Sequence, residues 1–286
     1  MSIFTCIWES IFLLTLVREF AMIPYPKINP NLIEIGPLKV RWYGLMYVLG
    51  FLSAYFLIPH QDRSRRIGLE GKRLQDLIFY LAVGLVVGAR FGYVLFYQFP
   101  YLAEYLRNPL EIIAVWHGGM SFHGGLLGAI SAGFLFCRRR RVSFWDVADA
   151  VIVTAPIGLG LGRLGNFMNG ELYGRATSVP WAMIFPGGGS APRHPSQLYE
   201  ALLEGLVLFL ILWGLRNRTF RPGVMICLFL TGYGVMRFLV EFTRQPDPQL
   251  GLFWGLLSMG QLLSLTMIVS AVLIWIFLPP RSSREN

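Results

Sequence analysis

The stretch Gly162 to Arg175, GRLGNFMNGELYGR, sets two arginines, two asparagines and a glutamate at the end of an apolar run. Arg163 and Asn166 are three residues apart, so on a helix they share one face. Arg237 and Glu241 form a second such pair, four apart, at the end of another apolar run. Arg90 and Tyr43 are further polar interruptions, and His123 lies in HGGMSFHGGLLG, flanked by the glycine pairs Gly118–Gly119 and Gly124–Gly125. Guanidinium forks match planar, bidentate anions such as phosphate and carboxylate. The amides of Asn166 and Asn169 suit the oxygens of phosphate or glycerol, and a histidine can move a proton near neutral pH, with Tyr43 or Glu171 as helpers.

These residues must be positioned by membrane helices. The chain has 286 residues, of which 55% are hydrophobic and only 14% charged, and its mean hydropathy is +0.54. Seven apolar runs of roughly 17 to 25 residues are each long enough to cross a hydrocarbon core. They are 42–59, 77–96, 121–137, 151–168, 198–215, 223–242 and 253–278. The formal net charge of +9 does not indicate nucleic acid, because the positive residues collect in alternate loops: Arg63 to Arg73, Arg138 to Arg141, and Arg216 to Arg221. By the positive-inside rule those loops and the C-terminal tail are cytoplasmic and the N-terminus is outside. Cys6, Cys137 and Cys227 have unrelated spacings and read as inert thiols.

On that topology Tyr43, Arg90, His123, Arg163, Asn166, Arg237 and Glu241 all fall in the outer half. Each has a structural explanation too. An intramembrane arginine can partner a glutamate or main-chain carbonyls, His123 can end a helix, and asparagines tie helices together. Convergence at one depth favours a cavity, and the glycines beside His123 permit close backbone approach and the irregular backbone that lines one. The abundant anion at that depth is a phospholipid phosphate.

At these positions the sequence closely resembles the bacterial phosphatidylglycerol:prolipoprotein diacylglyceryl transferases. Gly162, Arg163, Asn166, Phe167, Asn169, Glu171, Gly174 and Arg175 fill the family signature without a gap. The resemblance extends to IGPLKVRWYGLMY from Ile35, GARFGYVLFY from Gly88, MSFHGG from Met120, RHPSQLYE from Arg193 and GYGVMRFLVEFTRQPD from Gly232. The departures are an N-terminal extension, His117 where an acidic residue often precedes the glycine pair, and a short segment from Phe185 to Arg193.

The resemblance implies an all-α polytopic inner-membrane enzyme with its active site toward the periplasmic leaflet. The substrates it implies are phosphatidylglycerol and the signal peptide of a preprolipoprotein, whose lipobox cysteine receives the diacylglyceryl group. The thioether product would leave glycerol 1-phosphate behind, as the first step of lipoprotein maturation. Arg163 is expected to bind phosphatidylglycerol, Arg237 to meet the leaving phosphate, and His123 to serve as general base. Tyr43, Asn166, Asn169, Glu171, Gly174, Glu241 and Arg90 are expected to bind or orient substrate. No metal or other cofactor is expected, since the leaving group is already a competent anion. A lipid or anion transporter, and a structural subunit tied by the same residues, rank behind the transferase; no internal repeat supports the transporter. Residues 22–280 are expected to form the transferase domain and 281–286 a cytoplasmic tail. Residues 1–21, with an apolar run too short to span, are expected to be an extension, and translation starting at Met22 would remove it.

Overall fold

A computed structural model describes residues 23–26, 28–35, 38–245, 251–253 and 255–278. The expected extension 1–21 and tail 281–286 lie outside the described residues. The main helices are α1 (Trp42–Leu57), α2 (Gly71–Gly92), α3 (Phe122–Arg140), α4 (Phe144–Ile152), α5 (Ala155–Met168), α6 (Ser196–Leu215), α7 (Val224–Val240) and α8 (Met259–Phe277). Short two-stranded ladders accompany them: β1 (Ile23–Pro24) pairs in parallel with β4 (Met183–Ile184), while β2 (Asn31–Ile35) with β3 (Leu38–Arg41) and β5 (Leu252–Phe253) with β6 (Leu257–Ser258) are antiparallel.

Every apolar run contains a helix. Four helices, in the runs of α1, α2, α6 and α8, are long and apolar enough to cross a membrane, and the bent pair α4 and α5 makes a fifth if counted as one span. The chain is thus a helical membrane protein. The outward face of α2 fits that setting: Phe79, Val83, Val86 and Val87 are exposed, whereas Leu74, Leu77 and Ala89 are buried.

Three runs differ from their sequence-based bounds; the second, read from Leu77, is helical already from Gly71 and so takes Lys72 and Arg73 out of the loop. The fourth, read as continuous from Val151 to Met168, bends by 45° between α4 and α5. Pro156 sits in the first turn of α5, where its missing N–H is tolerated, and its ring would clash with a helix continuing through from α4. The seventh, read from Phe253, becomes helical only at Met259. The β5–β6 hairpin uses the preceding residues, with Gly255 at φ 70 in its turn.

The chain forms two compact units. Among the described residues, one comprises those up to Gly50, Ala155–Ile211 and those of Leu228–Leu273; the other comprises Phe51–Thr154, Leu212–Cys227 and those from Ile274 to Leu278. In the second unit α2 and α3 approach through glycines one turn apart. A Cβ on Gly88 would lie 2.7 Å from the Gly128 Cα, and one on Gly92 would lie 2.7 Å from the Gly124 Cα. Only small residues allow backbones so close, and the contact supplies the dispersion attraction that replaces a hydrophobic drive inside lipid. Gly124, read from the sequence as allowing close backbone approach, serves this packing. Gly118 and Gly119, at φ 83 and 76, do supply irregular backbone.

Candidate active site

In the first unit glycine packing brings charges together. Gly160 on α5 faces Gly205 on α6, and a Cβ on Gly205 would lie 2.7 Å from the Gly160 Cα. Arg163 follows Gly160 by about one turn, and Glu204 directly precedes Gly205. The close approach therefore delivers an arginine onto two glutamates. Arg163 Nε lies 2.6 Å from Glu200 Oε2, and its Nη2 lies 3.9 Å from Glu204.

Helix α7 adds Arg237, whose Nη1 is 3.0 Å from the same Glu200 oxygen and 3.7 Å from Glu204. Its Nη2 reaches Glu241 at 2.9 Å, the expected i,i+4 pair. Arg244 completes the set, with Nη1 2.6 Å from Glu200 and Nε 3.4 Å from Glu241. Glu241 fits because Gly260 has no side chain: a Cβ there would lie 2.5 Å from the carboxyl carbon. The Ser258 hydroxyl donates to Glu241 at 3.0 Å. The Tyr233 hydroxyl bonds to Arg163 and lies against Glu204.

The carboxylates of Glu200 and Glu204 are fully buried, whereas the Arg163 and Arg237 side chains keep 23% and 14% of their surface. Burying charges is costly unless each is paired, and this set of three arginines and three glutamates is neutral overall. Its glutamates fix the guanidinium rotamers, while the three arginine side chains keep 13% to 23% of their surface. A preorganised, partly exposed guanidinium of this kind stabilises an incoming anion without reorganising when charge develops.

The neighbouring amide cluster is built on the turn after α5. Asn166 donates to Glu171 Oε1 at 3.0 Å and to the Tyr43 hydroxyl at 3.4 Å, and Asn169 donates to the same Glu171 oxygen at 3.2 Å. The turn passes through Gly170 at φ 66 and Leu172 at φ 58. It is latched by Gln197, which donates to the Glu171 carbonyl at 2.6 Å, and by Ser196, which donates to the Leu172 carbonyl at 3.1 Å. Gly174 is wedged between two segments: its N–H donates to the His194 carbonyl at 2.8 Å, and a Cβ would collide with the Thr243 carbonyl. Burial holds the His194 imidazole below its ordinary pKa.

The structure thus brings Arg163, Arg237 and Glu241 into one network and Tyr43, Asn166, Asn169 and Glu171 into another. Arg90 and His123 belong to the second unit. Arg90 is buried and donates to the carbonyls of Glu111, Ile112, Gly118 and Gly119, so it ties a loop to α2. His123 is exposed in the first turn of α3, its ring centroid 5.6 Å from that of Phe122. Sequence reasoning did not single out Glu200, Glu204, Tyr233 or Arg244 as site residues. A signal was present for the two glutamates, which stand four apart within an apolar run just as Arg237 and Glu241 do.

Residues 30–277 match the family model described as prolipoprotein diacylglyceryl transferase. Three similar curated proteins all carry the name phosphatidylglycerol–prolipoprotein diacylglyceryl transferase. The protein from Geobacter sulfurreducens is 55% identical over 245 residues, covering 86% of this chain and 93% of its own length. The Desulfotalea psychrophila protein is 50% identical over 256 residues, covering 87% and 93%. The protein from Bordetella avium is 51% identical over 266 residues, covering 92% and 100%.

Proposed function

Since this chain belongs to the prolipoprotein diacylglyceryl transferase family, and is a transferase of lipoprotein biosynthesis, we propose that its arginine–glutamate network is the clamp for the phosphate of phosphatidylglycerol. In the full reaction the thiol of a lipobox cysteine attacks a glyceryl carbon of the lipid. A carbon–sulfur bond forms, the carbon–oxygen bond to phosphate breaks, and its electron pair leaves with glycerol 1-phosphate. The thiol gives up its proton.

The observation that carries this proposal is the shared grip on Glu200: Arg163 and Arg237, from two helices, meet one buried oxygen at 2.6 and 3.0 Å, and their side chains are not fully enclosed. As the ester bond breaks, the phosphate gains a second negative charge, which fixed guanidinium groups in a site with little water stabilise strongly. The same positive field favours thiolate, since a free thiol has a pKa of about 8.5. Arg163 binds the lipid phosphate, and Arg237 meets the leaving group. His123 is the candidate general base. Tyr43, Asn166, Asn169 and Glu171 orient the glycerol oxygens, Gly174 shapes their loop, and Arg90 steadies the segment it ties.

The enzyme crosses the bacterial inner membrane seven times with its N-terminus outside, so that the clamp opens to the periplasmic leaflet. Both substrates reach it from the bilayer, one held there by acyl chains and the other by its signal peptide. The test is to incubate purified protein with glycerol-labelled phosphatidylglycerol and a lipobox peptide. Thioether and glycerol phosphate should form in equal amounts; lipid binding without thioether, under conditions where a homologous transferase works, would overturn the proposal.

A further inference from the structure

The three glutamates of the clamp are held unequally. Glu200 meets Arg163, Arg237 and Arg244 at 2.6, 3.0 and 2.6 Å. Glu241 meets Arg237 and Arg244 at 2.9 and 3.4 Å and also accepts the Ser258 hydroxyl. Glu204 is just as buried, yet its guanidinium neighbours, Arg237 and Arg163, stand off at 3.7 and 3.9 Å. It lies one turn beyond the like charge of Glu200 on the same helix, and its hydrogen-bond partner is the neutral Tyr233 hydroxyl from α7, which donates to it. Its backbone lies in the π-helical stretch Ala201–Val207, a distortion that recurs at functional sites.

Charge balance gives this asymmetry a consequence, which rests on the phosphate-clamp proposal above. With all three glutamates ionised, the empty network of three arginines and three glutamates is neutral. A phosphodiester brings one negative charge into it, and a net charge is expensive in a medium of low dielectric. It also competes with the glutamates for Arg163 and Arg237. We propose that Glu204 takes up one proton as the phosphate of phosphatidylglycerol engages Arg163 and Arg237, so that lipid binding and protonation of this carboxylate are one coupled event. Glu200 and Glu241 stay ionised because each is held below 3.1 Å by at least one guanidinium. Uptake at Glu204 keeps the loaded site neutral and leaves both arginines to the lipid. Glu204 is a positioning residue in this scheme, acting through the arginines.

The experiment measures heats of phosphatidylglycerol binding to the wild-type protein in detergent micelles, in two buffers of different ionisation enthalpy, with phosphatidylcholine as the control lipid. A phosphodiester does not titrate near neutrality, so the buffer dependence counts protons taken up by the protein. The expected result is about one proton per lipid, with affinity falling about tenfold per pH unit across the range in which that proton is taken up. In Glu204→Gln, whose amide cannot titrate, the uptake should vanish and the affinity should become flat with pH. Lipid binding without uptake in the wild type overturns the coupling, and uptake undiminished in Glu204→Gln overturns its assignment to this residue. The wild-type count decides the coupling whether or not the variant folds. Failure of the wild type to bind phosphatidylglycerol at all would instead overturn the clamp.

Discussion

Each unit of this protein buries a cluster of arginine and carboxylate, and the two are built differently. In the second unit Arg63, 5% exposed, meets Asp146 at 2.8 Å and Asp149 at 3.2 Å and donates to the Phe220 carbonyl at 2.9 Å. Asp149 in turn accepts the N–H groups of Gly223 and Ile226, capping the start of α7. Those partners consume main-chain groups, so the cluster closes on the backbone and holds loops in place. In the first unit, Arg163, Arg237 and Arg244 answer mainly to side-chain carboxylates, and all three side chains stay partly exposed, at 13% to 23%. The contrast teaches a criterion: a buried ion cluster that satisfies backbone groups is scaffold, while one balanced among side chains whose arginines stay partly exposed is equipped to exchange a partner for a substrate.

The sharpest way to break the comparison is to remove a guanidinium from the open cluster. Arg237→Ala should lower turnover by about 100- to 1,000-fold, the usual cost of losing a preorganised charge donor in a transition state, as read by thioether formation. The closed cluster should respond in stability. Arg63→Ala strands Asp146 and Asp149 and should cost about 3 to 5 kcal/mol, visible as a large fall in melting temperature in detergent. Spreading α5 from α6 should harm both properties less: Gly205→Ala overpacks the contact by about 1 to 3 kcal/mol, and it should also lower turnover because Arg163 moves off Glu200. The same change at Gly88 should show a similar thermal loss with turnover per folded molecule retained. The smallest effect should come from Asn169→Ala, which removes one of two amide donors to Glu171; a rise in KM of a few fold corresponds to about 1 kcal/mol, and steady-state kinetics would detect it.

Much of this was legible in the sequence, for reasons that differ by element. Apolar runs of membrane length located every main helix except α4, most of which falls between two runs, because lipid forces backbone groups to pair within a segment. Intramembrane Arg163, Arg237 and Glu241 announced themselves by their cost. The break at Pro156 was written in the chain, yet hydropathy averages across it. Glu200 and Glu204 were passed over because their run was bounded by its apolar residues, although their spacing matched that of Arg237 and Glu241. Arg244 lay beyond the apolar runs, and only the folding of 241–244 onto α6 brings it to Glu200. The glycines were the least legible: Gly124 and Gly205 both permit close approach, and only the neighbouring residue distinguishes apolar packing from the delivery of a charge.

The most direct test of this account compares turnover per folded molecule for Arg163→Ala and Arg63→Ala, using phosphatidylglycerol and a lipobox peptide with the folded fraction fixed by size-exclusion chromatography in detergent. The expected result is a loss of at least about 100-fold in Arg163→Ala and near wild-type turnover in whatever Arg63→Ala folds. A folded Arg163→Ala that turns over like the wild type, or an Arg63→Ala that folds fully yet is inactive, would contradict the division of the molecule into a catalytic cluster and a structural one.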